Sequence, residues 1–103
     1  MSQLNIVLVC SAGMSTSLLV SKMQKAAQEQ GVDAHIEAIA SSVAVEQLSE
    51  TSADVLLLGP QVRFLENDYK NRFSDIKVAM ISPQNYGMMN GEAVLNQALE
   101  LLK

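Results

Sequence analysis

Cysteine is almost missing from this chain, whose 103 residues contain one, Cys10. A lone thiol excludes an internal disulfide framework, and no Cys/His spacing of the kind that ligates zinc is present, so a reducing compartment, the cytosol, is the simplest setting. Tryptophan is absent and aromatic residues make up 4% of the chain, against an apolar fraction of 49%. The core must then be built of Val, Leu, Ile, Ala and Met, as expected when a parallel sheet is covered by helices on both faces. Seven basic against eleven acidic residues leave a net charge of −4. With no Lys/Arg cluster, nucleic acid and anionic membrane surfaces are argued against as main partners. Long hydrophobic runs are lacking too. Val55 to Leu58 is far short of a membrane span, and the apolar segment near the N-terminus has neither the length nor the basic leader of a signal peptide. The chain reads as soluble, with residues 1–103 forming one domain.

What is present alternates strand and helix signals. Leu4 to Val9 is a short aliphatic run, a strand buried on both faces, and it delivers Cys10. From about Thr16 to Gln30, the residues Leu19, Met23, Ala26 and Ala27 recur at helical spacing, and Gly31 supplies the stop. Val32 to Ile39 alternates apolar with polar residues, the pattern of a half-exposed edge strand with His35 on its polar face. Ser41 and Ser42 are suited to capping a short helix through about Ser49 that carries Val43, Val45 and Leu48. Asp54 to Gly59 holds a second fully buried strand, ended by Gly59-Pro60, where a helix begins with the stripe Val62, Leu65, Tyr69 and Phe73. Lys77 to Ile81 is the fourth strand, stopped by Ser82-Pro83. After a loop holding Tyr86-Gly87, Asn90 can cap a last helix that buries Val94, Leu95, Ala98, Leu99 and Leu102. This order, with right-handed crossovers, predicts an α/β fold: an open, doubly wound, four-stranded parallel sheet in the order 2-1-3-4, flanked by helices. Ligands of such sheets bind beyond the carboxyl ends of the strands at the switch point, here between the first and third strands, which sets Cys10 beside Gly59-Pro60-Gln61.

The candidate chemistry lies in Cys10-Ser11-Ala12-Gly13-Met14-Ser15-Thr16-Ser17. A thiol at the end of a strand, followed by small residues and a helix start, sits where N–H groups converge and the helix dipole is positive, an arrangement that binds an anion and favours the thiolate. The competing reading is an ordinary buried strand-end cysteine. There is no G-x-G-x-x-G and no Walker lysine, which speaks against nucleotides. The loop superficially resembles the Cys-x5-Arg loop of tyrosine phosphatases, but Thr16 stands where the arginine would be. Without that guanidinium the loop is better suited to holding a phosphothiol for a second acceptor than to hydrolysing it. His35, away from the strand ends, reads as a solvated histidine, and Tyr86 can either approach the site or simply pack.

Cys10 to Val20 resembles the phosphocysteine loop of the IIB components of the bacterial sugar phosphotransferase system, in the lactose/cellobiose/diacetylchitobiose class and nearest the cellobiose type. The likeness continues through Leu57-Leu58-Gly59-Pro60-Gln61, Tyr86-Gly87 and Asn90-Gly91, with Asn90 where the family often has aspartate. The resemblance implies a cytoplasmic phosphotransferase subunit in which Cys10 takes a phosphoryl group from a phosphohistidine of a IIA partner. It then passes the group to a sugar, cellobiose or a related β-glucoside, held by a membrane IIC component. Backbone N–H groups from Ser11 to Ser17, with the Ser11, Ser15, Thr16 and Ser17 hydroxyls, would cradle the phosphoryl oxygens. No metal or other cofactor is needed, and Met14 and Leu18 are candidates for the IIA docking face. The rival readings are a low-molecular-weight phosphatase or thiol reductase using Cys10, opposed by Thr16 and by the lack of a second cysteine, and a regulatory anion-binding module in which Cys10 is passive.

Overall fold

The computed structural model describes residues 3–11, 14–50 and 53–102, with the side chains of 14–16 left out of the description. Four short strands carry the chain through its centre: β1 (Leu4–Cys10), β2 (Ala34–Ala40), β3 (Val55–Leu58) and β4 (Lys77–Met80). They pair in parallel in the order β2-β1-β3-β4, as the crossover argument predicts. Helix α1 (Met14–Gln30) links β1 to β2, and α2 (Ser41–Glu50) follows β2 without a gap. A 3-10 segment, Pro60–Leu65, and α3 (Glu66–Arg72) join β3 to β4, and α4 (Pro83–Gly87) and α5 (Gly91–Leu101) complete the fold.

Because side chains alternate along a strand, the sheet divides the apolar residues into two cores. Ile6, Leu8, Val55 and Leu57 face α1 and α5, where they meet Leu19, Met23, Val94, Leu95 and Ala98. Val7, Val9, Leu56 and Leu58 face the other way, onto Ala44 and Leu48 of α2 and Val62 and Tyr69 of the third connection. All four residues of β3 are fully buried. Burying a Leu or Val side chain contributes about 1.5–3 kcal/mol, so β3 belongs at the centre of any stable arrangement. At the amino end, Asp54 ties three strands together: its carboxylate accepts from Asn5 N–H at 2.8 Å, its N–H donates to Asn5 carbonyl at 2.8 Å, and its carbonyl accepts from Lys77 N–H at 3.2 Å.

Several boundaries depart from expectation, each for a local reason. Helix α1 starts at Met14 rather than near Thr16, within the spread expected of a helix end that patterning alone locates. The second strand starts at Ala34 rather than Val32, because Val32 is spent on ending α1. Gly31 takes the left-handed φ of 71°, its N–H donates to Gln28 carbonyl, and Val32 N–H donates to Ala27 carbonyl at 2.8 Å, the paired bonds of a Schellman motif. In α2, Ser41 is itself helical, and the buried stripe is Ala44 and Leu48, leaving Val43 and Val45 partly in solvent. The Val62-Leu65-Tyr69-Phe73 stripe does face inward, but over a 3-10 segment followed by an α-helix rather than one helix. Tyr69 and Phe73 meet edge to face, ring centroids 5.7 Å apart.

After β4 the expected loop is a short helix. Ser82 does more than stop the strand: it caps α4 by accepting Asn85 N–H at 3.1 Å, and Pro83 occupies the first turn of that helix. Asn90 caps α5 as expected, its side chain accepting Ala93 N–H at 3.1 Å. The turn between these helices requires Met89 at a φ of 52°, the left-handed region a methionine seldom adopts. Immediately beyond it, Gly91 brings the start of α5 into backbone contact with α1 at Lys22 and Met23.

Candidate active site

Cys10 is the last residue of β1 and is 1% exposed. In the ladder it pairs with Ala40 of β2, and the preceding Val9 pairs with Leu58 of β3. Since Ile6 and Leu8 belong to the α1/α5 core and Val7 and Val9 to the other, alternation turns the thiol side of Cys10 toward α1 and α5. Between β1 and β3 the connections diverge, one leading outward to β2 and the other to β4. Cys10 therefore stands at the switch point, where an open parallel sheet leaves a crevice.

Four residues past Cys10 begins a helix of 17 residues with no acidic side chain in its first turn. From Cys10 to Gln28 the chain contains no Asp or Glu and two lysines, Lys22 and Lys25. In a protein of net charge −4, this keeps like charge off the segment where an anion would sit and leaves the positive end of the α1 dipole unopposed. Of the expected phosphate-binding residues, Ser11 is an exposed bend directly after Cys10, and Ser17 is exposed in the first turns of α1. Ala12 and Gly13 lie outside the described residues, as do the side chains of Met14, Ser15 and Thr16.

The turn after β3 arrives beside Cys10, as the topology predicts. Gly59 N–H donates to Val9 carbonyl at 2.8 Å, and Ile81, just past β4, donates to Leu58 carbonyl at 2.8 Å, so three strand ends are held in line. Tyr86 is buried within the α1/α5 core, and its Cε2 lies 3.5 Å from where a β-carbon on Gly59 would be. It both packs and borders the switch point.

His35 is the second residue of β2, near the amino end of the strand, its side chain 56% exposed and 3.7 Å from Glu37. It is far along the strand from Ala40, the partner of Cys10, and reads as a solvated residue. A cleft of about 280 Å³ between Leu48, Ala53, Phe73 and Ile76 opens at the amino ends of β3 and β4, the opposite end of the strands from the thiol. Among the described residues, no group of three or more His, Cys, Asp and Glu side chains is placed to hold a metal ion, and no helix is long and apolar enough to cross a membrane.

Sequence reasoning missed two exposed apolar side chains in segments that follow strand ends. Leu18 was expected there and is 53% exposed, but Phe64 in the 3-10 segment and Met88 after α4 are more so, at 75% and 71%. All three sit in segments that follow the carboxyl end of a strand. The signal for Phe64 was its register: it lies between Val62 and Leu65 of the buried stripe but on neither of their positions.

Residues 5–97 match the protein family described as PTS system, lactose/cellobiose specific IIB subunit. The chain is similar to the galactose-specific EIIB component of the phosphotransferase system (PTS) of Lactococcus lactis subsp. cremoris (strain MG1363), with 47% identity over 102 residues and 94% of each chain covered. It is 46% identical, over 102 residues and 94% of each chain, to the cellobiose-specific EIIB component of Lactococcus lactis subsp. lactis (strain IL1403). The solution structure of the cellobiose-specific phosphotransferase IIB component from Borrelia burgdorferi superposes with a TM-score of 0.78 at 39% identity, covering 97% of this chain and 92% of that one.

Proposed function

The chain belongs to the lactose/cellobiose-specific IIB subunits of the sugar phosphotransferase system, and on that premise we propose that Cys10 is its phosphoryl carrier. Members of this family are phosphotransferase components that work with IIA and IIC partners. In the first step the Cys10 thiolate attacks the phosphorus of a phosphohistidine on IIA; the P–N bond breaks, the P–S bond forms, and the imidazole takes up a proton. In the second, a hydroxyl of the sugar held by IIC attacks the same phosphorus; the P–S bond breaks, the P–O bond forms, the hydroxyl proton goes to a base, and the thiolate is restored.

The observation that carries this reading is the position of Cys10, buried at the carboxyl end of β1, at the switch point, ahead of the amino end of α1. Backbone N–H groups of Ser11 to Ser17 and the hydroxyls of Ser11, Ser15, Thr16 and Ser17 supply the phosphoryl cradle. Donors held in place ahead of transfer would need no reorganisation as charge develops. A site shielded from bulk water favours the sugar or imidazole over hydrolysis, and Thr16 in place of an arginine works in the same direction.

The exposed side chains of Leu18, Phe64 and Met88 support docking of the partners on this end of the sheet. Cellobiose or a related β-glucoside is the proposed sugar. The relatives carry galactose and cellobiose in their names at nearly equal identity, which fits recognition of the sugar by IIC. The carrier works in the cytoplasm as one domain. Its test is intact mass after incubation with phosphoenolpyruvate, the general phosphotransferase proteins and IIA. One phosphoryl group on Cys10, stable to hydroxylamine and labile to iodine, is the expected result. A passive anion-binding module would gain no mass, and a phosphatase would release phosphate without needing IIC.

A further inference from the structure

The residue opposite Cys10 across the switch point has no side chain. One step past the Val9–Leu58 pair, Cys10 comes beside Gly59, and neighbouring strands lie only about 4.8 Å apart. Gly59 keeps an extended backbone, with φ −63° and ψ 155°. Its missing β-carbon therefore points to the side of the sheet taken by Leu57, which is also the side Cys10 takes. That space is occupied: Oε1 of Gln61 lies 3.0 Å from where a β-carbon would be, and Cε2 of Tyr86 lies 3.5 Å from it.

Gln61 is an exposed residue two positions on, and a surface glutamine gains most by extending into water. Here it folds back over the backbone instead, into room that exists because residue 59 is glycine, with the buried Tyr86 ring closing the other side. With Oε1 turned to Gly59, the other end of the carboxamide offers two N–H donors. The carboxamide lies at the Gly59 position, and Gly59 follows the Val9–Leu58 pair beside Cys10. Resting on the phosphocysteine reading, we propose that Gln61 is a phosphoryl-binding residue, whose side-chain N–H donates to an oxygen of the phosphoryl group on Cys10 from the β3 side. A neutral donor suits a carrier, since it steadies the charge without the strong pull of a guanidinium.

The test uses the full chain, phosphorylated by phospho-IIA, as parent, Gln61→Met, Gly59→Ala and the double variant. Gln61→Met keeps length and removes the donors. Gly59→Ala keeps the donors but crowds Oε1 at 3.0 Å, its other contacts at 3.5 Å being ordinary. Each single variant should melt close to the parent yet accept the phosphoryl group about tenfold more slowly, the effect of one hydrogen bond to a charged group. The phosphocysteine 31P signal should titrate about one pH unit higher, because a donor that favours the dianion tenfold is lost. The double variant should be no worse than Gln61→Met, since both changes act on one contact. A merely structural glutamine would leave the 31P titration where it was. If the parent labels on Cys10 and Gln61→Met matches it in rate and titration, the proposal falls alone; if the parent does not label on Cys10, the phosphocysteine reading falls and takes the proposal with it.

Discussion

A single methyl group at Gly91 should unseat the last helix. A β-carbon there would lie 2.5 Å from the carbonyl carbon of Lys22, 2.6 Å from its β-carbon and 2.6 Å from the nitrogen of Met23. Carbon atoms in favourable contact sit about 3.5–4.0 Å apart, so α5 and α1 would have to separate by roughly 1 Å at this point. Two of the three atoms are α1 backbone, so no side-chain rotation relieves the clash. The gap would open along the layer where Leu19, Met23, Val94, Leu95 and Ala98, all fully buried, fill the space between helices and sheet. Overpacking costs about 1–3 kcal/mol, and a backbone neighbour puts Gly91→Ala toward the upper end. At about 4–8 °C per kcal/mol for a domain of this size, the midpoint should fall by roughly 10–20 °C. Thermal unfolding followed by far-UV circular dichroism, with urea titration to check that the m-value is unchanged, measures it. Gly87→Ala is the control, because nothing lies within 4 Å of its β-carbon position, and the smaller entropy of the unfolded chain should leave it equal or more stable by about 0.4–1 kcal/mol. A Gly91→Ala protein that melts within about 2 °C of the parent would refute the close-approach argument.

Cys10→Ser should fold like the parent and accept no phosphoryl group from phospho-IIA, because a hydroxyl is scarcely ionised at neutral pH; intact mass decides this, and label on another residue would remove Cys10 from the mechanism. Asn90→Ala deletes the acceptor for Ala93 N–H and should cost about 1 kcal/mol, read from the urea midpoint, with Asn90→Asp restoring most of it. Tyr69 is buried, and desolvation, reinforced by Asp68 and partly offset by Arg72, raises its phenol above the usual value. Its contribution is therefore complete below the unfolded value near pH 10 and lost as pH rises through the folded one. Melting midpoints from pH 8 to 11 should fall less steeply in Tyr69→Phe than in the parent, and parallel curves would count against a buried, neutral phenol.

Everything written in short-range pattern was legible in the residues alone. The aliphatic runs Ile6–Val9 and Val55–Leu58 have no polar face to offer water, so they must be interior parallel strands, while the alternation of Ala34 to Glu37 marks an edge. Handedness of the crossovers then leaves little choice of strand order, and that order brings the Cys10 segment to the switch point. Contacts between residues far apart in the chain were not legible there and came with the fold. Nothing near Gly91 says that it must clear Lys22, and nothing near Gly59 says that its vacant β-position receives Gln61 and Tyr86. Local ambiguity was settled the same way. Ser82-Pro83 ends a strand and starts a helix with equal facility; burial of Tyr86 against the β1/β3 end chooses the helix. Apolar residues outside a stripe, such as Phe64 and Met88, read locally as surface noise, and only the fold shows them exposed in the segments that follow β3 and β4. The physical reason is one of range: periodicity reports which face of an element is buried, whereas a site is made where the ends of several elements meet.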